Sequence, residues 1–309
     1  MRRSNTGDFY VTLDIGGSTL KAALLDSSSE VVSGSFTKVP IDSNGPQRRV
    51  IDTIIATIAE KFSLSGTPEN VKAIGISFPE FLDYKQGIVA FMKDKFQNIG
   101  GIRLRDEIIK GLGLSNNFCI VFEEDSVAFL RGAVQSEKFR KFKRIIGLTL
   151  GTGLGSAFMV EGRIIRDAVD IPPNGELGCL PYEEGVVEDV VSIKGIIKIY
   201  RKITGNEEQD VSKIAERAIK GESTATRSFE EFGRRMGQII RPYVENYKTE
   251  CIVIGGQIAK SFDLFEESLR IKLVGIPSLK EIMPAESIDF CPFFGLLNTV
   301  ESHYRNDNC

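Results

Sequence analysis

Histidine is almost missing from this chain: His303, near the C-terminus, is the only one among 309 residues. Catalytic triads built on histidine, and zinc sites of the Cys/His kind, are nearly excluded by that count alone. Cysteine is sparse as well. Cys119, Cys179, Cys251, Cys291 and Cys309 are odd in number, widely spaced and never arranged as CxxC, a pattern that reads as reduced thiols filling cores in a cytosolic protein. No apolar run approaches the roughly 18 residues of a membrane span. The N-terminal MRRSNTG carries two arginines with no apolar stretch behind them, so it is not read as a signal peptide. A basic excess is lacking too: the net charge of −3 gives no electrostatic reason to expect nucleic acid or an anionic membrane as partner. These absences predict a cytoplasmic protein without membrane or nucleic-acid partners. If it is an enzyme, carboxylates must carry its proton chemistry.

What is present is ample core material. Hydrophobic residues make up 42% and charged residues 26% of the chain, and at about 150 residues per domain the length suggests two domains. Residues 9–14, 20–25 and the stretch EVVSGSFTKV read as an antiparallel meander with turns near Gly16-Gly17 and at 26–29. PQRRVIDTIIATIAEKF places Val50, Ile51, Ile54, Ile55, Ile58 and Phe62 at helical spacing behind a proline. VKAIGISFPE and FCIVFEED read as buried strands, the second running into a helix from Asp125. Three antiparallel strands followed by strands alternating with helices indicate an α/β layer with a mixed sheet. The pattern then restarts. RIIGLTLGTGLGSAFMVEGRII sets Gly151 opposite Gly16 and Ala157 opposite Ala22, at an offset of 135 residues. Three helical stretches follow, then the buried strand ECIVIGG and a helix beginning QIAKSFDLFEESLR. A weak internal duplication is the economical reading: two similar α/β domains with a cleft between them.

Glycine turns suit phosphate because a residue without Cβ lets backbone N–H groups approach the oxygens closely. One such turn is more simply a structural feature. Here three end apolar strands: Gly16-Gly17, Gly151-Thr152-Gly153 and Gly255-Gly256. No GxxxxGK[ST] is present, and GTGLG enters a strand rather than a helix, which excludes the P-loop and the dinucleotide fingerprint. Asp14 beside the first turn would repel a phosphate unless a divalent cation stood between them, and Lys21 offers a point charge to the same group. A solvated strand lysine is the competing reading for Lys21. Asp125, where CIVF gives way to a helix, is on the sequence alone more simply an ordinary N-cap. Glu176 and Glu188 by default are solvated residues of a loop and a helix start.

LDIGGSTLKAALLD, GISFPEFLD, VFEEDSVAFLRG, LTLGTGLGSAFMVEGRII, GELGCLP and IVIGGQI resemble, in order, the segments of the ROK family. That family comprises sugar kinases and sugar-responsive repressors. The resemblance, running from about residue 9 to 300, implies two similar actin/hexokinase-type (ribonuclease H-like) domains with mixed sheets around an interdomain cleft. Their expected bounds are 1–125 plus 292–309 and 126–291, and the helix in FFGLLNTVESHY, with Phe293, Phe294, Leu296, Leu297, Val300 and Tyr304 along it, is expected to return to the first domain. Asp14, Gly16, Gly17, Ser18, Thr19 and Lys21 look like the first phosphate motif, with Asp14 holding Mg²⁺ through water. Gly151, Thr152, Gly153 and Gly155 look like the second, and Gly255 and Gly256 like the adenosine motif. Asp125 is similar to the base that deprotonates the sugar hydroxyl. Asn98, Glu176 and Glu188 resemble sugar-binding residues.

Two positions depart from the family pattern. Glu124 stands where an asparagine sugar contact is usual. Cys179 stands at the zinc-binding histidine, and the cysteine-rich loop that normally follows is absent, so no zinc is expected. The resemblance therefore implies ATP and Mg²⁺ as cofactors, a homodimer, and phosphorylation of a glucose-like hexose. The alternatives are a kinase for N-acetylmannosamine or N-acetylglucosamine, and a non-catalytic sugar- or nucleotide-binding sensor. A repressor would need a helix-turn-helix ahead of the first strand, where only eight mostly polar residues precede Phe9.

Overall fold

The computed structural model describes residues 7–93 and 95–305; those of the expected first domain at 1–6, 94 and 306–309 lie outside it, Cys309 among them. The chain divides into two compact units, residues 1–132 with 290–309 and residues 133–289.

In the first unit β1 (Phe9–Ile15) and β2 (Thr19–Asp26) form the expected hairpin, and β3 (Thr37–Pro40) extends it. The third strand is much shorter than the expected ten residues. After a single bridge from Val31 to Leu25, Gly34 takes φ +76°, and the Ser35 hydroxyl both donates to the Leu24 carbonyl and accepts from the Leu24 N–H. The side chain thus takes over from the backbone ladder for those residues. Helix α1 (Gln47–Leu64) buries Val50, Ile51, Ile54, Ile58 and Phe62. β4 (Val71–Phe78) stops at Pro79, which cannot donate to a ladder. The hairpin β5 (Phe81–Asp83) and β6 (Ile88–Val89), helix α2 (Leu104–Leu112) and β7 (Cys119–Glu124) follow, and α3 (Asp125–Ala133) continues from β7 without a loop. The sheet order is β3-β2-β1-β4-β7, antiparallel up to β1 and parallel from β1 to β7. Strand alternation puts Val11, Leu13 and Ile15 with Phe122 on the face covered by α1 and α2.

The second unit has the same plan. β8 (Arg144–Leu150), β9 (Leu154–Val160) and β10 (Arg163–Ile165) make the meander. A short hairpin, β11 (Pro181–Tyr182) and β12 (Gly185–Val186), leads to helices α4 (Ile193–Thr204), α5 (Val211–Ile219) and α6 (Ser223–Asn246), and β13 (Cys251–Gly255), α7 (Glu266–Leu273) and β14 (Glu281–Pro284) complete the unit. The sheet order β10-β9-β8-β13-β14, with the same directions, repeats that of the first unit. The duplication is real, but its offset is 135 only on the first strand of each hairpin. Leu13 faces Ala22, whereas Leu148 faces Ser156, because the second turn is one residue shorter. Ser156, not Ala157, therefore occupies the place of Ala22. The segment after β13 is not one helix either. It is a 3₁₀ stretch, Ile258–Leu264, that breaks at Phe265 before α7. Phe262 and Phe265 pack edge-to-face, with ring centroids 5.4 Å apart, and a spacing of three suits the tighter turn.

The last helix, α8 (Cys291–Arg305), belongs to the first unit and covers the other face of its sheet. Phe293, Leu297 and Val300 lie against Ala73, Cys119 and Val121, while Tyr304, expected on this face, is exposed. Two glycines set how closely α3 and α8 cross. A Cβ at Gly132 would stand 1.8 Å from the Cys291 carbonyl, and one at Gly295 would stand 1.8 Å from that of Ala128. This contact ties α3 to the first unit, beyond the expected boundary at 125. Cys179, Cys251 and Cys291 form no disulfide, but Cys119 is disulfide-bonded. An odd count leaves at least one thiol unpaired; it does not leave all five so. Among the described residues no helix is long and apolar enough to cross a membrane.

Candidate functional site

The β1–β2 turn is the first part of the site. Asp14 and Lys21 are cross-strand partners, with Lys21 Nζ 3.8 Å from Asp14 Oδ2 and both side chains largely but not wholly covered. Ser77, fully buried on β4, donates from Oγ to Asp14 Oδ1 at 2.9 Å and fixes the carboxylate at the strand end. The turn is closed by the Gly16 N–H on the Thr19 carbonyl, and Ser18 is exposed at its tip. Neither glycine is required by the protein itself. A Cβ at Gly16 or Gly17 would meet its nearest neighbours at 3.4 and 3.6 Å, ordinary contact distances, and neither residue has positive φ. Glycine is thus not forced at either position by backbone conformation or by a clash, and its lack of a Cβ suits close approach of a phosphate to the turn's N–H groups.

Asp125 opens α3 directly behind β7. Its carboxyl is pushed up to about 7, first by burial, with the charges of Glu124 and Asp14 adding to the rise while the Lys95 ammonium and the Ser126 N–H oppose it. A carboxyl held near neutrality has the property a general base requires. The Ser126 N–H bonds Asp125 Oδ1 and its hydroxyl bonds Glu124 Oε1, both at 2.6 Å, so one buried serine orients both carboxylates. Glu124 is itself buried, and Glu123, on the opposite face, pairs with Arg131 at 3.5 Å. Asn98 sits in a 3₁₀ turn, and its Nδ2 donates to the carbonyls of Asn44 and Gly45, both at 3.0 Å. Its N–H donors hold the loop ahead of α1, so a sugar hydroxyl there would be met by Oδ1.

The second unit brings the remaining residues together. Gly151, whose N–H closes its turn on the Gly153 carbonyl, would have an added Cβ in open space. Thr152 is exposed at the tip, and Gly155 stands on β9 facing Thr149. Gly153 is different: a Cβ there would meet Glu188 Oε2 at 2.5 Å, so this glycine makes room for the carboxylate. Glu176 is held from both sides by Ser156, which donates to the Gly175 carbonyl at 2.6 Å and accepts from the Leu177 N–H at 2.8 Å. The Glu188 N–H bonds the Gly178 carbonyl at 3.1 Å. Glu188 therefore stands beside the second turn, and the backbone on either side of Glu176 is held to β9. Gly255 ends β13 and is buried, and Gly256 has φ +81° with the Leu150 backbone 2.3 Å from a would-be Cβ. That glycine is a structural necessity. Cys179 is an exposed thiol, and no group of three or more His, Cys, Asp or Glu among the described residues is placed to hold a metal.

A sequence model of the ROK family matches residues 10–276. The chain belongs to the ROK family. Relatives of this ROK protein include the glucokinase of Thermotoga maritima, 25% identical over 85% of this chain and 86% of that one. The N-acetyl-D-glucosamine kinase of Haemophilus influenzae is 23% identical, over 84% and 87%. The xylose repressor of Caldicellulosiruptor bescii is 21% identical, over 84% and 68%. Among solved structures, the ROK family glucokinase of Streptomyces griseus, in complex with glucose and AMPPNP, superposes with a TM-score of 0.78 at 20% identity, over 95% of this chain and 99% of that one. The actin/hexokinase-type fold is thereby shown.

Four residues escape a reading of the sequence: Ser77, Lys95 and Ser126 in the first unit and Ser156 in the second. Ser77 and Ser156 did leave a trace, as small polar residues inside otherwise apolar buried strands. Lys95 left none, because a long loop brings it to the turn.

Proposed function

We propose that this ROK protein is an ATP-dependent sugar kinase acting on a glucose-like hexose. The observation that carries the reading is Asp125, a carboxylate poised near neutral pH and influenced by the charge of Asp14, which precedes the Gly16–Gly17 turn, and of Lys95, whose stem lies against that turn. Asp125 accepts the proton of the sugar hydroxyl. The hydroxyl oxygen forms a bond to the terminal phosphorus of ATP as the bond from that phosphorus to its bridging oxygen breaks, leaving ADP, and Asp125 then passes its proton to water. Lys21 and the N–H groups of the two glycine turns bind the phosphates; Gly255 and Gly256 receive the adenosine. Asn98 Oδ1, Glu176 and Glu188 hold sugar hydroxyls, and Glu124 lies next to the reacting one. Mg²⁺ would neutralise phosphate charge, and the partly exposed Asp14 carboxylate is suited to hold it through water. A cytoplasmic homodimer is part of the same reading.

The N-acetylglucosamine kinase among the relatives makes acetamido sugars the second substrate class. ADP release measured over a panel of hexoses and acetamido sugars decides. Sugar-dependent release with a hexose preferred is expected. Preference for an acetamido sugar selects the second class, and sugar binding without ADP release for any substrate overturns the kinase reading in favour of a sensor.

A further inference from the structure

Lys95 lies in the loop between β6 and α2, a place no feature of the sequence singles out. Its neighbour Phe96 adopts φ +54° and ψ +26°, a left-handed conformation unfavourable for a bulky side chain. The strain is held by burial. Phe96 is wholly buried, its ring centroid lies 4.6 Å from that of Phe78, and its N–H bonds the Ser43 carbonyl at 3.0 Å. Strained residues persist where surrounding structure over-determines them, and they gather at functional sites. The consequence here is the aim of the preceding side chain. Lys95 Cδ stands 3.6 Å from the position a Cβ of Gly17 would take, so the stem lies along the first phosphate turn. Lys95 is half-buried, and among the described residues it makes no ion pair, whereas Lys21 is already engaged by Asp14. A half-buried cation that no described carboxylate engages at ion-pair distance, lying beside the first glycine turn, is suited to an anion that arrives with the substrate.

We propose that Lys95 is the cation that meets the terminal phosphate of ATP during transfer, between the Gly16–Gly17 turn and Asp125. The proposal rests on the kinase reading above. Its charge also favours the ionised base: it is the largest of the influences opposing the upward shift of Asp125, where Glu124 and Asp14 push the other way and the Ser126 N–H assists it. Lys21, tied to Asp14, serves the phosphates from the opposite strand of the hairpin.

Lys95→Met keeps the stem and removes the charge, and Lys95→Arg keeps the charge. Two measurements separate the ideas. Calorimetric titration with ADP and with a non-hydrolysable ATP analogue asks whether Lys95 reads the terminal phosphate: Lys95→Met is expected to weaken the analogue about tenfold and leave ADP unchanged, with Lys95→Arg close to the parent protein. Steady-state kinetics should show kcat reduced by about 10²-fold in Lys95→Met, unchanged sugar KM, and an acid limb of the pH profile moved to higher pH. Equal weakening of ADP and analogue, or analogue binding unaltered, would overturn the proposal. The binding arm needs no turnover, so it decides on Lys95 even if the parent protein releases no ADP with any sugar, the result that sinks the kinase reading alone.

Discussion

At the scale of single residues, the decisive features are charges kept close together and partly out of water. Asp125 is raised because burial and two neighbouring carboxylates disfavour its ionised form. Two results follow from the sign of that shift. With Asp125 as the proposed base, kcat should rise with pH through about 7; Glu124→Gln, by removing one like charge, should move that limb to lower pH. A pH–rate profile with an unmoved or raised limb in Glu124→Gln would show that the two carboxylates do not interact. Asp125→Asn should cost about 10²–10⁴-fold in kcat with sugar affinity largely retained. Its stability should change in the opposite sense. A carboxyl with a raised native pKa contributes stability that is complete below its unfolded value of 3.8 and is lost as pH climbs through about 7. Asp125→Asn should therefore melt like the parent protein in acid and above it at pH 8, where each kcal/mol recovered is worth about 2–4 °C. Calorimetric scans at the two pH values check this, and a lower melting temperature at pH 8 would contradict the burial of the charge.

At the scale of elements, the glycine turns divide into those the protein's own backbone requires and those it does not. Gly151 has open space where a Cβ would go, whereas Gly256 combines a left-handed backbone with a carbonyl and amide of Leu150 inside contact distance. Gly151→Ala should leave the melting temperature within a degree or two, since an exposed turn accommodates it, yet weaken nucleotide binding. Gly256→Ala should destabilise by about 2 kcal/mol or more, through backbone strain and overpacking. Thermal unfolding with calorimetric ATP-analogue binding on both variants distinguishes them; a destabilised Gly151→Ala with unchanged nucleotide affinity would make that turn structural as well. The elements also explain how the loop carrying Glu176 and Glu188 can be held without a metal. Ser156 pins it on both sides of Glu176, the Val187 N–H bonds the Leu180 carbonyl at 2.9 Å, and Gly178 sits where a Cβ would meet the Leu154 carbonyl at 2.4 Å.

At the scale of the whole molecule, that bracing leads to a measurement on the intact protein. Elemental analysis should find no stoichiometric zinc, and a strong chelator should leave the melting temperature unchanged; about one tightly bound zinc per chain would refute the hydrogen-bonded brace. The sequence by itself determined the two-fold α/β plan, because hydrophobic periodicity and glycine punctuation are local and the same pattern occurs twice. It also marked Asp14, Asp125 and the three turns, since a charge at the end of a buried strand is conspicuous in one dimension. Only tertiary structure decided the rest. The second hairpin is one residue shorter than the first, which exchanges Ala157 for Ser156 opposite the first repeat, and a pairing register is set by two strands together rather than by either one. Ser77 reaches Asp14 across 63 residues of sequence, and Lys95 reaches Gly17 through a strained loop. The charge that sets the behaviour of Asp125 is a sum over β1, β7 and that loop, and such a sum exists only once the chain has folded.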